Sequence, residues 1–348
     1  MEKFFLGLLI FVPIAIGADL LGVPPTAVFF LSAIAIVPLA KYIGMATEEL
    51  ASRTSSALGG LLNATFGNAP ELIIGLFALH AGLLEVVKAS ITGSIIGNLL
   101  FVVGVAMLAG GWSREKQTFN RTGVLAGGSA LFIAVIALVV PAIFVQTVPD
   151  APVATVEGLS IFVSLALLAM YAASLFFSLH THKHLYTEEI AKLDGRWSVA
   201  RSVATLLVAT LAVAWVSEIL VGSIEPIVEG LGWTQLFIGV IVIAIIGNAA
   251  EHFSAVTIAM KDRMDLSLQI AIGSATQIAM LVAPALVLAS LFFVQPMNLI
   301  FNIFELVSIV LSVLIVNLIV ADGESNWLEG AQLLGAYAII AVAFFFHP

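Results

Sequence analysis

The sequence predicts an all-α polytopic membrane protein of about eleven transmembrane helices, whose two halves are inverted-topology repeats. Three observations carry that expectation. Of 348 residues, 61% are hydrophobic and only 10% charged, with a mean hydropathy of +1.14, whereas a soluble domain carries roughly 25% charged residues. Such an apolar surplus cannot be hidden in one aqueous core, so lipid must be the solvent for most of the chain. Stretches of about 20 apolar residues, enough to cross the hydrocarbon core, recur near 4–21, 25–43, 58–81, 88–110, 122–145, 157–179, 199–221, 235–260, 266–293, 298–320 and 327–346. A polar five-residue motif also occurs twice inside them.

The first stretch, Phe4 to Ile16, follows a single Lys and lacks a small-residue cleavage site. It reads as the first span rather than a signal peptide. The connections are short, and the longest polar one is His180–Trp197. The chain has no cysteine, which removes disulfides, thiolate metal sites and cysteine nucleophiles together. If the loops alternate sides, twelve of the thirteen Lys and Arg fall on the side of the N-terminus, and only Lys88 falls on the other. The positive-inside rule then places the N-terminus in the cytoplasm and the C-terminus outside. The outer side carries Asp19, Glu85, Asp150, Glu157, Glu218, Glu225 and Glu229. These either draw cations to that face or are ordinary solvated loop acids.

The repeat is read from Gly67-Asn68-Ala69-Pro70-Glu71 and Gly247-Asn248-Ala249-Ala250-Glu251, offset by 180 residues. At the same offset Gly93-Ser94 matches Gly273-Ser274, Gly59 matches Gly239, and Leu108-Ala109 matches Leu288-Ala289. The motifs fall on spans three and eight. An interval of five is odd, so the halves cross the membrane in opposite directions. Inverted repeats place the substrate site near the midplane, where interrupted helices of both halves meet.

An intramembrane carboxylate marks function by default. Glu71 and Glu251 hold equivalent places and can face each other, and two close carboxylates in low dielectric titrate as a coupled pair. A divalent cation between them cancels their charge and drives their protons off, which makes a proton–cation exchange site. Asn68 and Asn248 stand three residues before each Glu, on its face of the helix, either as ligands or as interhelical glue. Ser94 with Asn98, and Ser274 with Gln277, lie near each other on spans four and nine. The serines are either ligands or small residues that let helices approach. Gly67, Gly247 and Pro70 weaken the helices and can free backbone carbonyls. Carboxylates, amide and backbone carbonyls, and water form the oxygen set that Ca²⁺ accepts, and no His or Cys cluster favours Zn²⁺ or Cu²⁺.

Gln277 touches the ion or proton path or stands clear of it, and His252 either tunes proton affinity or packs. Glu305 and Glu218 serve a proton route or anchor their helices. His180, His182 and His184, with Glu188, Glu189 and Asp194, form either a sensor loop or a solvated one.

GNAPE and GNAAEH, each followed by a GS-containing span, resemble the cation/Ca²⁺ exchanger superfamily with its duplicated α-repeats. GNAAEH (Gly247 to His252) and GSATQIA (Gly273 to Ala279) resemble its Ca²⁺/H⁺ antiporter branch, and the Thr-Ser-type sequence of sodium-coupled relatives is absent. The resemblance implies spans arranged as one plus five plus five. That divides the chain into an N-terminal helix (1–22), a first repeat (23–180), a cytoplasmic connection (181–197) and a second repeat (198–348). It implies that Glu71 and Glu251 are the Ca²⁺/H⁺ carboxylates, completed by backbone carbonyls of the two GNA segments. The compact loops resemble prokaryotic members and imply an inner-membrane location. The expectation is therefore a secondary active transporter that exchanges Ca²⁺ for H⁺ by alternating access and exports Ca²⁺. The alternative is a Na⁺-coupled or broad divalent-cation exchanger of the same fold. No enzyme activity, cofactor or nucleic-acid partner is expected. The partners are Ca²⁺, H⁺ and lipid, with a homo-oligomer left open.

Overall fold

The computed structural model describes residues 2–54, 56–182 and 197–347. Among them, nine helices are long and apolar enough to cross a membrane. A tenth crossing is formed by Gln235–Gly247 and Ala249–Met260, bent by 60° at Asn248. The stretch expected at 58–81 is divided into Ser56–Phe66 and Ala69–His80, of 11 and 12 residues. Each piece is too short to span alone; like Gln235–Gly247 and Ala249–Met260, the two reach a crossing's length only together. Nine unbroken helices and one bent pair thus meet the length criterion among the described residues, and the eleventh expected crossing corresponds to this second broken pair. The division follows from Gly67 and from Pro70, which supplies no N–H to the turn before it.

Two other boundaries differ from the apolar pattern. The second helix runs Pro25–Ala51 instead of stopping near 43. Its polar end is stabilised by packing, with Thr47 bonded back to the Ile43 carbonyl at 2.8 Å and Lys41 donating to Ser254 at 3.2 Å. The tenth expected span starts at Ile303, not 298. Asn302 caps it, accepting from Phe304 N–H, while Glu305 accepts from Asn302 N–H in a capping box. Residues before it form a non-helical strap with Met297, Leu299 and Phe301 buried. Ser290 and Ser160 accept the Met297 and Leu299 N–H groups, and Lys88 donates to Asn298 and to the Ile300 carbonyl. A buried strap must have its backbone satisfied, and these side chains do so.

Three of the loops expected on the cytoplasmic side, 111–121, 261–265 and 323–326, gather at one end. Gln117–Thr118 pairs antiparallel with Glu324–Ser325. Gln117 donates to Asp262 at 2.9 Å and to the Ala259 carbonyl, and Arg114 lies 3.4 Å from Asp262. Lys116 bonds Glu324 at 2.6 Å, and that carboxylate holds the exposed amine above its ordinary pKa. Trp112 and Trp327 meet edge to face at the same end, where interfacial aromatics belong.

Close backbone approach fixes the central helices. Gly330 seats Trp327–Phe346 on Leu84–Gly111, where a Cβ would lie 2.7 Å from the Gly104 carbonyl. Pro25–Ala51 and Val199–Leu231 pack along each other, and the first helix, Lys3–Leu20, lies on Pro25–Ala51.

Candidate functional site

Glu71 and Glu251 each stand in the first turn of a half-helix, Ala69–His80 and Ala249–Met260. A carboxylate is favoured there by the helix dipole. The breaks that create these turns also bring the motifs together. A Cβ on Gly247 would lie 3.3 Å from Glu71 Oε1, and one on Gly67 would lie 3.6 Å from Glu251 Oε1. Each carboxylate is thus pressed against the glycine of the opposite motif.

Asn68 and Asn248 are the N-cap residues, a position where Asn ordinarily bonds its own helix. Neither side chain does so here. Both reach across to the other half of the chain. Asn68 Nδ2 donates to Gln277 Oε1 at 2.5 Å. Asn248 Nδ2 donates to Ser94 Oγ at 2.9 Å and to the Ala244 carbonyl at 3.0 Å. Its Oδ1 accepts from Asn98 Nδ2 at 3.1 Å and from Ser274 Oγ at 3.4 Å, and Asn98 also donates to Ser274 at 3.0 Å.

The two asparagines therefore differ. The Asn248 amide is fully engaged in the interhelical network. Asn68 Oδ1 is buried without a protein partner, as are Asn98 Oδ1, Glu71 Oε2 and Glu251 Oε2. All four are acceptor oxygens, the ligand type that a hard cation takes. Asn98 has an aliphatic counterpart at the repeat offset, Ile278, so duplication alone does not single it out. Its signal is its place one turn after Ser94. Wider π-type turns run through Gly97–Val102 and Ile278–Val282, beside these polar residues, a feature frequent at functional sites.

A cavity of about 170 Å³ reaches Glu251, Ser274 and Gln277 past Asn63, Gln269 and Gly273. It approaches from the end of the molecule that carries the 261–265 turn. Glu71 does not line it.

The remaining sequence candidates lie apart. His252 is buried, with Nε2 unpartnered, and packs edge-on to Phe101. Glu305 is 2% exposed and has both oxygens occupied, by Thr92 at 2.9 Å and by Asn302 N–H at 3.0 Å. This arrangement anchors its helix. Glu218 lines a separate groove with Asp19 and Trp215. His180 and His182 pack on Phe176 and Phe177. His184, Glu188, Glu189 and Asp194 lie outside the described residues. No group of three or more His, Cys, Asp or Glu able to hold a metal occurs among the described residues.

Two helix breaks at repeat-related positions, each presenting a carboxylate to the glycine of the opposite motif, are the pattern of a secondary transporter of the exchanger fold. The family described as "Sodium/calcium exchanger protein" matches this chain twice, over residues 24–180 and 201–346, and the chain belongs to that family. A Ca(2+)/H(+) antiporter of Synechocystis sp. is 48% identical, covering 100% of this chain and 98% of that protein. The Ca(2+)/H(+) antiporter ChaA of Bacillus subtilis is 44% identical, covering 96% of each. The solved structure of native YfkE superposes with a TM-score of 0.87 at 42% identity, covering 99% of this chain and 100% of that one.

Proposed function

We propose that this protein exchanges Ca²⁺ for H⁺ across a membrane by alternating access. The observation that carries the proposal is the reciprocal seating of Glu71 and Glu251 against Gly247 and Gly67, with one buried, unpartnered oxygen on each carboxylate. Deprotonated, the pair presents two charges to one divalent ion. Protonated, it is neutral and can return without one. The names of the similar antiporters support the same reading.

In this reading Glu71 and Glu251 bind both ions. Asn68 and the carbonyls of the Gly67 and Gly247 segments complete the Ca²⁺ shell, with Gln277 and His252 beside the proton path. Asn248, Ser94 and Ser274 contribute by holding the two halves in register around the ion. The chain divides into the helix 1–22, repeats 23–180 and 198–348, and the connection 181–197. Its N-terminus is cytoplasmic and its C-terminus outside, in a bacterial inner membrane, with Ca²⁺ exported against an inward proton gradient. It acts as a carrier and not as an enzyme.

The test is ⁴⁵Ca²⁺ uptake into proteoliposomes with an acidic lumen and no sodium. Uptake abolished by a protonophore is the expected result. Flux that needs a sodium gradient and ignores the proton gradient would select the Na⁺-coupled alternative.

A further inference from the structure

The repeats agree in sequence at Gly93 and Gly273 but not in surroundings. A Cβ on Gly93 would overlap the Val240 carbonyl, with Val240 Cα only 2.5 Å away. At Gly239, next to Val240, a Cβ would lie 2.8 Å from the Val86 carbonyl. The Gln235–Gly247 piece is thus sealed, main chain to main chain, onto Leu84–Gly111. At Gly273 nothing lies within 4 Å of the same hypothetical atom, and that glycine lines the cavity leading to Glu251. One glycine seat is filled and its repeat-related twin is open.

The partner for the open seat is given by the same offset. Position 60 stands 180 residues before Val240 and is itself glycine, following Gly59. It lies on Ser56–Phe66, the piece that brings Asn63 to the cavity wall. We infer that Gly273 is the seat on which the Ser56–Phe66 piece closes, main chain to main chain at Gly60, while Gly93 is vacated by Gln235–Gly247 at the opposite end. The inference rests on the alternating-access reading and adds the two contacts that exchange. Glycine is required at 273 only in a conformation other than this one. Glycine at 93 is required in this one.

The experiment uses the cysteine-free chain with two reporters related by the repeat, Ile270→Cys at the open cavity and Ser90→Cys beside the sealed contact. Each is labelled with a small charged methanethiosulfonate in detergent, alongside proteoliposome flux. The Cβ of Gly273→Val meets no neighbour within 4 Å here, so the variant should fold normally. It should bias the equilibrium toward the present conformation by about 10- to 100-fold, the usual consequence of overpacking a contact. Exchange should fall to that degree, Ile270→Cys should stay fully reactive, and Ser90→Cys should become unreactive. Gly93→Ala should do the reverse, slowing Ile270→Cys and exposing Ser90→Cys. Should Gly93→Ala not fold, the Gly273→Val result alone decides.

Wild-type exchange with equally fast exchange by Gly273→Val would overturn the seat. So would loss of Ile270→Cys labelling in Gly273→Val, because the valine would then merely plug the cavity. A wild-type protein that carries no Ca²⁺ against protons would strike instead at the proposed function.

Discussion

Gly247 lies against Glu71 closely enough that a Cβ there would stand 3.2 Å from Glu71 Cγ and 3.3 Å from Oε1. The glycine of one half therefore shapes the carboxylate pocket of the other. Gly247→Ala should push Glu71 aside by a few tenths of an ångström while leaving the fold intact. We expect Ca²⁺ affinity to weaken about tenfold, or ~1.4 kcal/mol, with little change in melting temperature. Calorimetric Ca²⁺ titration of purified protein checks this, and unchanged affinity would show that Glu71 is not a ligand.

Glu71→Gln or Glu251→Gln leaves one negative charge for a divalent ion and removes one titrating group. Each should abolish exchange with folded yield preserved, because an amide costs less to bury than an acid. Flux is compared at matched amounts of monodisperse protein, and near-normal exchange by either variant would end the two-carboxylate mechanism.

If Glu71 and Glu251 bind both ions, as proposed, protons and Ca²⁺ compete for the same oxygens. The half-saturating Ca²⁺ concentration should therefore rise as pH falls, and the pH dependence should become shallower in either Gln variant. Binding isotherms between pH 6 and pH 9 supply the comparison, and a pH-independent wild type would contradict it.

Glu305→Gln should behave differently, since Glu305 closes a capping box and accepts from Thr92. Loss of such a cap costs roughly 0.5–2 kcal/mol. The expected outcome is a lower melting temperature with exchange per folded molecule largely retained. Abolished exchange in a fully stable variant would restore this residue to the proton path.

Topology can be read on the same cysteine-free background. Ser113→Cys should react with an impermeant maleimide only from the cytoplasmic side, and Glu229→Cys only from outside. Reaction of both from one side would be incompatible with inverted halves.

Much of this arrangement was legible in the chain. The duplicated motif and its constant offset are enough to bring Glu71 and Glu251 together, because a repeat carries long-range information that periodicity lacks. Helix ends were less legible. Hydropathy ran the tenth span back to 298 because Leu299, Ile300 and Phe301 are apolar, though Asn302-x-x-Glu305 is a capping signature visible in the sequence. The apolar pattern ends the second span near 43, just past Lys41, whose partner Ser254 lies 213 positions away. The difference between Asn68 and Asn248 was hidden altogether. It depends on where Asn98 and Gln277 point, and these stand one position out of register in the repeats.

The lacing of the 111–121, 261–265 and 323–326 connections has a consequence for how the molecule breathes. Strand pairing, Gln117 and Arg114 tie together the ends of six membrane helices. Amide hydrogens there and in the helices they tie should exchange slowly, as one cooperative unit. Ser56–Phe66 lies outside that unit and ends at a two-residue break; if it is the piece that closes on Gly273, it should take up deuterium ahead of the laced helices, and the timing of isotope uptake would separate collar from moving piece.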